Sequence, residues 1–254
     1  MPQRLPLPPA ATVRSTPPPL DARLRLAASF ARGGRIADIG TDHAYLPAAL
    51  LLEGKCTFAV ASDIHRGPAA VAAEHLSSFG IRDRDAAVLL TDGLDGVQEY
   101  QPADIFILGM GGEMIAGILS RAPWIASPTV RLILQPMTRF SALRAYLDRN
   151  GFCIREDRLV KTDRIYQVLC AEYDGIERRH SPLALLVGEG NLARRDPLCM
   201  EYVEKQKRIL ESAKSGKQSV GADTAAEDAL LGEIRVFLSE STDRKEVSTT
   251  DDRI

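Results

Sequence analysis

Residues 35–47 read Arg-Ile-Ala-Asp-Ile-Gly-Thr-Asp-His-Ala-Tyr-Leu-Pro, a short apolar run that ends at a glycine and leads into an apolar, alanine-rich stretch. A buried strand that turns tightly into a helix is the first half of a βαβ unit. Gly40 lets the backbone turn and approach a ligand without an intervening side chain. Pro47 lies near the helix start, where its missing amide costs nothing. The stretch therefore predicts a parallel sheet with flanking helices.

The same alternation of short strands and helices continues to about residue 174. The runs have the length and continuity of strands buried on both faces of a parallel sheet. Helical stretches separate them, as expected for right-handed βαβ units, and we predict an α/β fold with a doubly wound sheet. Two longer stretches, Phe152–Leu159 and Ile165–Tyr173, flank a polar turn and predict a terminal β-hairpin. The predicted strands are Arg35–Ile39, Thr57–Ala61, Ala86–Leu90, Asp104–Leu108 and Val130–Gln135.

The two ends of the chain differ from this central domain, which we place at residues 20–174. Seven of the 15 prolines fall in residues 1–19, and proline lacks an amide donor, so we predict a disordered or polyproline-like leader there. Residues 175–240 carry two apolar helical stripes and predict a small, coiled-coil-like helical domain, with a loop from Ser215 to Gly221. Residues 241–254 are polar and are predicted to form a disordered tail.

The composition excludes several classes of protein. The 254 residues include 32 Lys and Arg against 34 Asp and Glu, a net charge of −2, so no global basic field marks a nucleic-acid-binding protein. The four cysteines form no CxxC pair, which argues against a zinc site or a disulfide framework, and we expect no metal. No apolar run is long enough to span a membrane, and a secretory signal is absent. We expect a reduced, cytoplasmic protein.

The candidate binding residues cluster at the predicted carboxyl ends of the strands, where ligands bind in open parallel sheets. After the first strand, Asp38 and Asp42 would repel a pyrophosphate but suit a cationic amino-acid ligand. The negative charge of these two side chains, together with the absence of a GxGxxG motif, favours S-adenosylmethionine over a dinucleotide as the ligand. Asp42 and His43 are equally consistent with a local helix cap.

The other strand ends complete a predicted nucleoside site. Asp63 would accept hydrogen bonds from a ribose diol, and Asp92 from the exocyclic amine of adenine, with Gly93 leaving room for the base. The glycines from Gly109 to Gly112 would open the floor of the site, and Met110 would press its thioether against a flat ring. The predicted cofactor-binding residues are Asp38, Gly40, Asp42, His43, Asp63, Asp92, Gly93, Gly109, Met110, Gly111 and Gly112.

Two further residues are candidates for contacting the substrate. Gln135 closes the fifth strand at a position typical of adenosyl methyltransferases, although the following Pro136 is also compatible with an ordinary strand end. Tyr166 would either stack a base or fill one face of the hairpin.

These segments resemble the bacterial tRNA (adenine-22 N1)-methyltransferase family. The resemblance is carried by the string from Ala37 to Pro47, by Thr91-Asp-Gly-Leu94 and by Gly109-Met-Gly-Gly112, and also by Arg23-Leu24, Leu132–Pro136 and Tyr166–Leu169. All of these segments match, and the resemblance extends from about Leu20 to Gly190, with a weaker likeness only through the C-terminal helices. The resemblance implies a class I methyltransferase domain of Rossmann-like fold that uses S-adenosylmethionine, and a C-terminal coiled-coil domain that helps to hold tRNA.

The expected reaction leads to a hypothesis for the roles of particular residues. Adenine N1 has a lone pair and no proton, so its attack needs alignment more than a general base. Asp42 and Glu113 are candidates to stabilise the cationic product or to accept a proton from its N6, beside Met110. The candidates for contacting tRNA on the helical domain are Arg194, Lys205 and Arg208, whose spacing of 11 and 3 predicts one shared helix face. The alternative is a surface paired with nearby glutamates. We expect a monomer or weak homodimer.

Three other functions are compatible with parts of the pattern. A methyltransferase acting on ribosomal RNA, protein or a small molecule would share the donor site. A non-catalytic RNA-binding or scaffold protein is disfavoured because Asp38, Gly40 and Asp63 are all present. A nicotinamide dehydrogenase is disfavoured by the missing phosphate-binding motif.

Overall fold

The computed structural model describes residues 2–10, 12–14 and 16–248, with side chains to residue 240. Contacts divide the chain into two units, Met1–Arg179 and His180–Ile254. The predicted boundary at residue 174 precedes this division by a few residues, because the backbone amide of Arg178 donates to the carbonyl of Asp148 and ties residues 175–179 to the first unit.

The first unit is built on one mixed sheet. The strands lie in the order β1-β4-β3-β2-β5-β6-β8-β7. The five central strands, from β2 to β6, are parallel, and β7 and β8 form an antiparallel hairpin at one edge. Both the doubly wound sheet and the terminal hairpin were predicted, and both are confirmed. The strands are β1 (Gln3–Leu5), β2 (Arg35–Ile39), β3 (Phe58–Asp63), β4 (Ala86–Leu90), β5 (Asp104–Gly111), β6 (Arg131–Thr138), β7 (Phe152–Lys161) and β8 (Ile165–Tyr173).

Helices cover both faces of this sheet and bury its central strands. On β5, for example, the consecutive residues Ile105, Phe106 and Ile107 are all fully buried, although successive side chains point to opposite faces. This double burial explains why the parallel strands read as continuous apolar runs rather than as alternating ones. The helices of the first unit are α1 (Ala22–Ser29), α2 (Tyr45–Leu52), α3 (Arg66–Ser78), α4 (Gly112–Ser120) and α5 (Phe140–Arg149).

The leader corrects the prediction of disorder over residues 1–19. Strand β1 pairs antiparallel with β4, with Leu5 opposite Val88. Further along, the amide of Arg14 donates to the carbonyl of Ser78 at 2.7 Å. Proline excludes a chain from the interior of a sheet, but an edge strand needs a ladder on one side only, and the three residues between Pro2 and Pro6 supply it. The leader therefore covers an edge that would otherwise be open to association.

Docking of the leader makes a measurable contribution to stability. Leu5 and Leu7 are partly buried against the apolar cluster around α3 and β4. We expect the double substitution Leu5→Ala and Leu7→Ala to lower the free energy of unfolding by about 1–3 kcal/mol, because both apolar side chains pack against this cluster and lose that contact. Chemical denaturation would measure the change, with Pro6→Ala, an exposed position between them, as the control. An unchanged midpoint would contradict the docked leader.

The second unit consists of four helices among its described residues. Tyr202 and Val203 of the third helix and Ile234 and Phe237 of the fourth are buried. The third and fourth helices contact each other, and Glu233 of the fourth accepts a hydrogen bond from the backbone amide of Leu183 in the first. The helices are α6 (Pro182–Val187), α7 (Glu189–Arg194), α8 (Pro197–Ser219) and α9 (Ala225–Ser248).

Two details of the helical prediction are wrong. Helix α8 continues to Ser219, through most of the predicted loop at 215–221, and ion pairs Lys214–Asp228 and Lys217–Glu227 join its last turns to α9. The predicted disordered tail at 241–254 is helical as far as Ser248, and residues 249–254 lie outside the described residues. Only residues 220–224 connect the two helices, and the ion pairs hold the last turns of α8 beside the first turns of α9.

Candidate active site

Two adjoining cavities lie at the carboxyl ends of the parallel strands. The sheet order reverses between β2 and β5, and this switch point is where open α/β sheets bind ligands. The larger cavity has a volume of about 600 Å³ and the smaller one about 320 Å³. Both are lined by Gly40, Asp42, Leu108 and Gly109, which form the wall between them.

The larger cavity contains the predicted nucleoside-binding residues Asp63, Asp92 and Gly93. The Asp63 carboxylate accepts a hydrogen bond from the backbone amide of His65 at 2.9 Å, which fixes its direction at the end of β3. Asp92 accepts one from Arg121 at 2.9 Å, and both side chains are about half exposed. One oxygen of each carboxylate remains directed by a protein donor while the other is available to a ligand hydroxyl or amine.

The loop after β2 has an unusual backbone. Gly40, Asp42 and Ala44 all have positive φ, at 71°, 53° and 52°. The two non-glycine residues occupy the left-handed region at a cost in energy, and such clusters are typical of binding sites. At Gly40 the conformation is easy for glycine, and a side chain there would also meet the Met110 methyl group, 2.2 Å from an ideal Cβ. The Met110 side chain therefore packs directly against the backbone of Gly40 in the wall of the larger cavity.

The smaller cavity contains a buried acidic group. Asp38 is 6% exposed, and its carboxylate accepts a hydrogen bond from the Thr41 hydroxyl at 2.7 Å. Burial raises the pKa of Asp38 from 3.8 to about 6, although the Thr41 hydrogen bond and the positive charge of Arg23 act in the opposite direction. Arg23 and His43 also line this cavity. The site thus presents a carboxylate whose charge is only partly compensated by the protein.

The glycine-rich end of β5 has two separate functions in the fold. Gly109 and Met110 line the larger cavity, as predicted. Gly111 and Gly112 do not line either cavity, and this part of the cofactor prediction therefore needs correction. An ideal Cβ on Gly112 would lie 2.3 Å from the carbonyl oxygen of Arg139, so glycine is needed there for close packing of α4 against the loop before α5.

Three further candidate residues are not in the lining of either cavity. Glu113 lines neither cavity, and its exposed carboxylate is 3.8 Å from Arg139, so it is not placed to act at the wall between the cavities. Gln135 is fully buried, so it is not available to contact a substrate directly. Tyr166 is partly buried on the hairpin, where its hydroxyl donates to Asp163 at 3.0 Å and its ring is 5.7 Å from the Arg23 guanidinium.

The three basic residues of the second unit do not share one helix. Arg194 ends α7 and donates to Asn191 at 2.5 Å, whereas Lys205 and Arg208 are exposed on α8. The helix breaks between them because Arg195 has a positive φ of 50° and Asp196 caps the new helix. The spacing argument assumed one continuous helix and is wrong for Arg194. Lys205 and Arg208 remain one turn apart on the same face.

Arg23, Arg121 and Ile64 are functional candidates that sequence reasoning did not identify. Arg23 lines the smaller cavity, and the other two line the larger one. Ile64 is 56% exposed, unusual for a large apolar side chain, and offers a flat contact for a base. Arg23-Leu24 contributes to the family resemblance, but no motif around these two residues indicates a ligand.

Neither a metal centre nor a membrane span was found in the described part of the chain. Residues 2–10, 12–14 and 16–248 include no group of three or more His, Cys, Asp or Glu placed to hold an ion. Within the same ranges, every helix is too short or too polar to cross a lipid bilayer.

The residues of the two cavities fit S-adenosylmethionine. Carboxylates at Asp63 and Asp92 suit its ribose diol and adenine amine, and Asp38 and Asp42 suit its positive charges. When bound, this compound supplies a methyl group on a sulfonium. The fit includes the glycine-lined wall, which leaves space for a ligand that extends from one cavity into the other.

Comparisons with known proteins give a consistent result. Residues 20–169 match the family model described as a methyltransferase domain. The tRNA (adenine(22)-N(1))-methyltransferase of Bacillus subtilis (strain 168) is 34% identical over 166 residues, which are 62% of this chain and 69% of that protein.

Solved structures agree in fold over nearly their whole length. A Streptococcus pneumoniae protein in complex with S-adenosyl-L-methionine is 30% identical, with a TM-score of 0.76 over 86% of this chain and 99% of that one. The Bacillus subtilis m1A22 tRNA methyltransferase TrmK is 29% identical, with a TM-score of 0.74 over 87% and 98% of the two chains.

Proposed function

The chain belongs to the tRNA (adenine(22)-N(1))-methyltransferases within the methyltransferase-domain family, and on that basis we propose that it methylates N1 of adenine 22 in the D arm of tRNA. It is an enzyme that depends on S-adenosylmethionine. The observation that carries the proposal is the pair of cavities joined at Gly40 and Gly109, with carboxylates directed into both.

The reaction requires alignment and charge stabilisation from the protein. The N1 lone pair forms a bond to the methyl carbon as the carbon–sulfur bond breaks, and the electron pair of that bond stays on sulfur. No proton is transferred in this step, and the positive charge passes to the adenine ring. The protein must hold N1, carbon and sulfur nearly in line. Since N1 is hidden in a stacked or paired base, the adenine must also be turned out into the site.

Asp42 is the residue that we propose stabilises the positive charge on the product. It lines both cavities, its carboxylate is 3.4 Å from His43 Nε2, and its side chain is 70% exposed. Carboxylates placed where positive charge develops lower the barrier to its formation. Met110, at the same wall, would pack against the reacting groups. The exposed Lys205 and Arg208, with Arg194 on the neighbouring helix, would contact tRNA phosphates.

Substitution of Asp42 tests its charge separately from its backbone conformation. Asparagine tolerates positive φ better than other non-glycine residues, so Asp42→Asn keeps the loop while removing the charge. We expect kcat to fall about 10-fold, with the thermal midpoint unchanged, because one charge interaction is lost. Single-turnover methylation would measure the change, with Asp95→Asn as a matched control. Full turnover and full donor affinity in Asp42→Asn would remove this residue from the mechanism.

The function itself is tested by mapping the modified base. Purified protein is incubated with S-adenosylmethionine and unmodified tRNA, and reverse transcription is then used to locate stops, because N1 methylation blocks Watson–Crick pairing. We expect a new stop at adenine 22 of the tRNA. This stop should be absent when the tRNA transcript carries guanosine instead of adenosine at that position. Methylation of ribosomal RNA or protein, with none of tRNA, would contradict the proposal. Because tRNA is the substrate, we also propose that the protein works in the cytoplasm, as a monomer or weak homodimer.

A further inference from the structure

We infer that the leader positions two loops of the larger cavity and thereby raises the affinity for the methyl donor. Its residues Pro2 and Gln3 hold, from outside the cavity, the loops that carry Asp63 and Asp92. Neither Pro2 nor Gln3 lines a cavity, so both are positioning residues that act through the loops. The inference rests on the donor dependence in the proposed function and is independent of the methyl acceptor.

The loop after β4 has the leader beside it. Strand β1 pairs antiparallel with β4, and Gln3 lies opposite Leu90, the last residue of β4. Thr91, Asp92 and Gly93 follow directly and line the larger cavity. The leader therefore runs alongside β4 up to the residue before this loop.

Pro2 packs against the far end of the same loop. An ideal Cβ on Gly96, which has a φ of +70°, would lie 2.6 Å from Pro2 Cγ, so the proline ring is in close contact with this glycine. The Thr91 hydroxyl donates to the carbonyl of Asp95 at 3.1 Å and joins the end of the loop to its beginning. A shift of the turn at Gly96 is thus transmitted to Thr91 in the cavity lining, and contact with Pro2 opposes it.

Gln3 reaches the second loop through its side chain. Its Oε1 accepts a hydrogen bond from Arg66 Nη2 at 3.0 Å. Arg66 begins α3 and directly follows His65, whose backbone amide directs the Asp63 carboxylate. Asp63 and His65 both line the larger cavity. One leader residue is therefore joined to both loops, to one by strand pairing and to the other by its side chain.

The leader can leave this position without unfolding of the whole domain. Strand β1 has three residues, lies at the edge of the sheet, and exposes Pro2 and Gln3 at its start. Short edge elements of this kind open locally at a fraction of the free energy of global unfolding. A ligand that prefers the loops as the docked leader holds them must shift this opening equilibrium toward docking. The factor equals that by which docking raises the affinity for the ligand.

The first test measures the affinity for S-adenosylhomocysteine by calorimetry. We expect the double substitution Pro2→Ala and Gln3→Ala to weaken binding about fivefold, the lower end of the range for coupled sites. Arg4→Ala is the matched control, because Arg4 is exposed on the same strand but pairs with Asp83 and contacts no cavity loop in this way. Phe152→Leu, at a buried position on the opposite edge strand, controls for a general loss of stability. Neither control should change the affinity.

The second test measures the reverse effect, which a leader with a merely structural role would not show. Hydrogen exchange of the amides of residues 3–5 is followed with and without saturating S-adenosylhomocysteine. We expect the ligand to slow this exchange about fivefold in the unmodified protein, and by less than about twofold after Pro2→Ala and Gln3→Ala. The exposed ends of the opposite edge strand, β7, are the control, and their exchange should not respond to the ligand.

The outcomes separate this inference from the proposed function. Unchanged affinity in the double variant, or exchange of residues 3–5 that does not respond to the ligand, would overturn the coupling. It would also be overturned if either control substitution weakened binding as much as the double substitution. Both measurements omit tRNA, so failure to methylate adenine 22 would contradict the proposed function and leave the coupling intact.

Discussion

Asp63→Ala is expected to weaken binding of S-adenosylmethionine about 100-fold. The carboxylate ends β3 in the larger cavity, and the amide of His65 holds one of its oxygens at 2.9 Å. A directed carboxylate accepts charge-assisted hydrogen bonds from both ribose hydroxyls, and the loss of two such bonds corresponds to about 3 kcal/mol. Calorimetry at fixed pH would measure the dissociation constant.

Two further substitutions determine whether this loss comes from the diol. Asp63→Asn can still accept from His65 and from one hydroxyl, so we expect only about a 10-fold loss. Asp83→Ala removes an exposed carboxylate that pairs with Arg4 and lines neither cavity, and it should leave donor affinity unchanged. A 2′-deoxy ligand keeps only one of the two hydroxyls, so it should bind Asp63→Ala about 10-fold more weakly than it binds the unmodified protein, rather than 100-fold. Donor affinity within twofold of normal in Asp63→Ala would refute the assignment.

The central sheet could be predicted because its strands are buried on both faces. Residues such as Ile105, Phe106 and Ile107 form a continuous apolar run for this reason, and the run is visible in the sequence. Strand β1 could not be predicted, because it is three residues long and gains its stability from a partner, β4, that is far away in the chain. Its prolines indicated a coil, and the tertiary context determined otherwise.

The candidate site shows the same division between local and distant signals. Asp38, Asp63 and Asp92 follow directly after predicted strands, so their convergence at one sheet edge followed from topology alone. Arg23 precedes β2 by a whole helix, and its place in the smaller cavity depends on Gln135, more than a hundred residues away. The burial of Gln135 was equally invisible, since a glutamine at a strand end is ordinarily a surface residue.

Asp38→Asn is expected to stabilise the ligand-free protein at pH 8 and to weaken donor binding there. Burial raises the pKa of Asp38 from 3.8 to about 6, so the folded protein binds this proton more tightly than the unfolded chain does. The group therefore favours folding below pH 4, and this contribution is lost as the pH rises through about 6. Complete ionisation costs about 3 kcal/mol, and asparagine avoids that cost while still accepting from Thr41.

The pH dependence provides the decisive comparison for this carboxylate. Asp38→Asn should raise the free energy of unfolding by about 1–3 kcal/mol at pH 8 and by little at pH 5, whereas its donor affinity should fall about 30-fold at pH 8. In the unmodified protein, the affinity for the donor should rise between pH 5 and 7.5 as Asp38 ionises.

Asp104→Asn is the control for a buried carboxylate that the protein does compensate. Asp104 is fully buried but accepts hydrogen bonds from the backbone amide and the side chain of Arg32, at 2.7 and 3.2 Å, so loss of its charge should destabilise the fold. If Asp38→Asn changed neither stability nor affinity at pH 8, the buried charge would have no role in holding the donor. An ionised Asp38 that weakens the empty fold and strengthens the complex would instead explain why a carboxylate is placed where burial disfavours it.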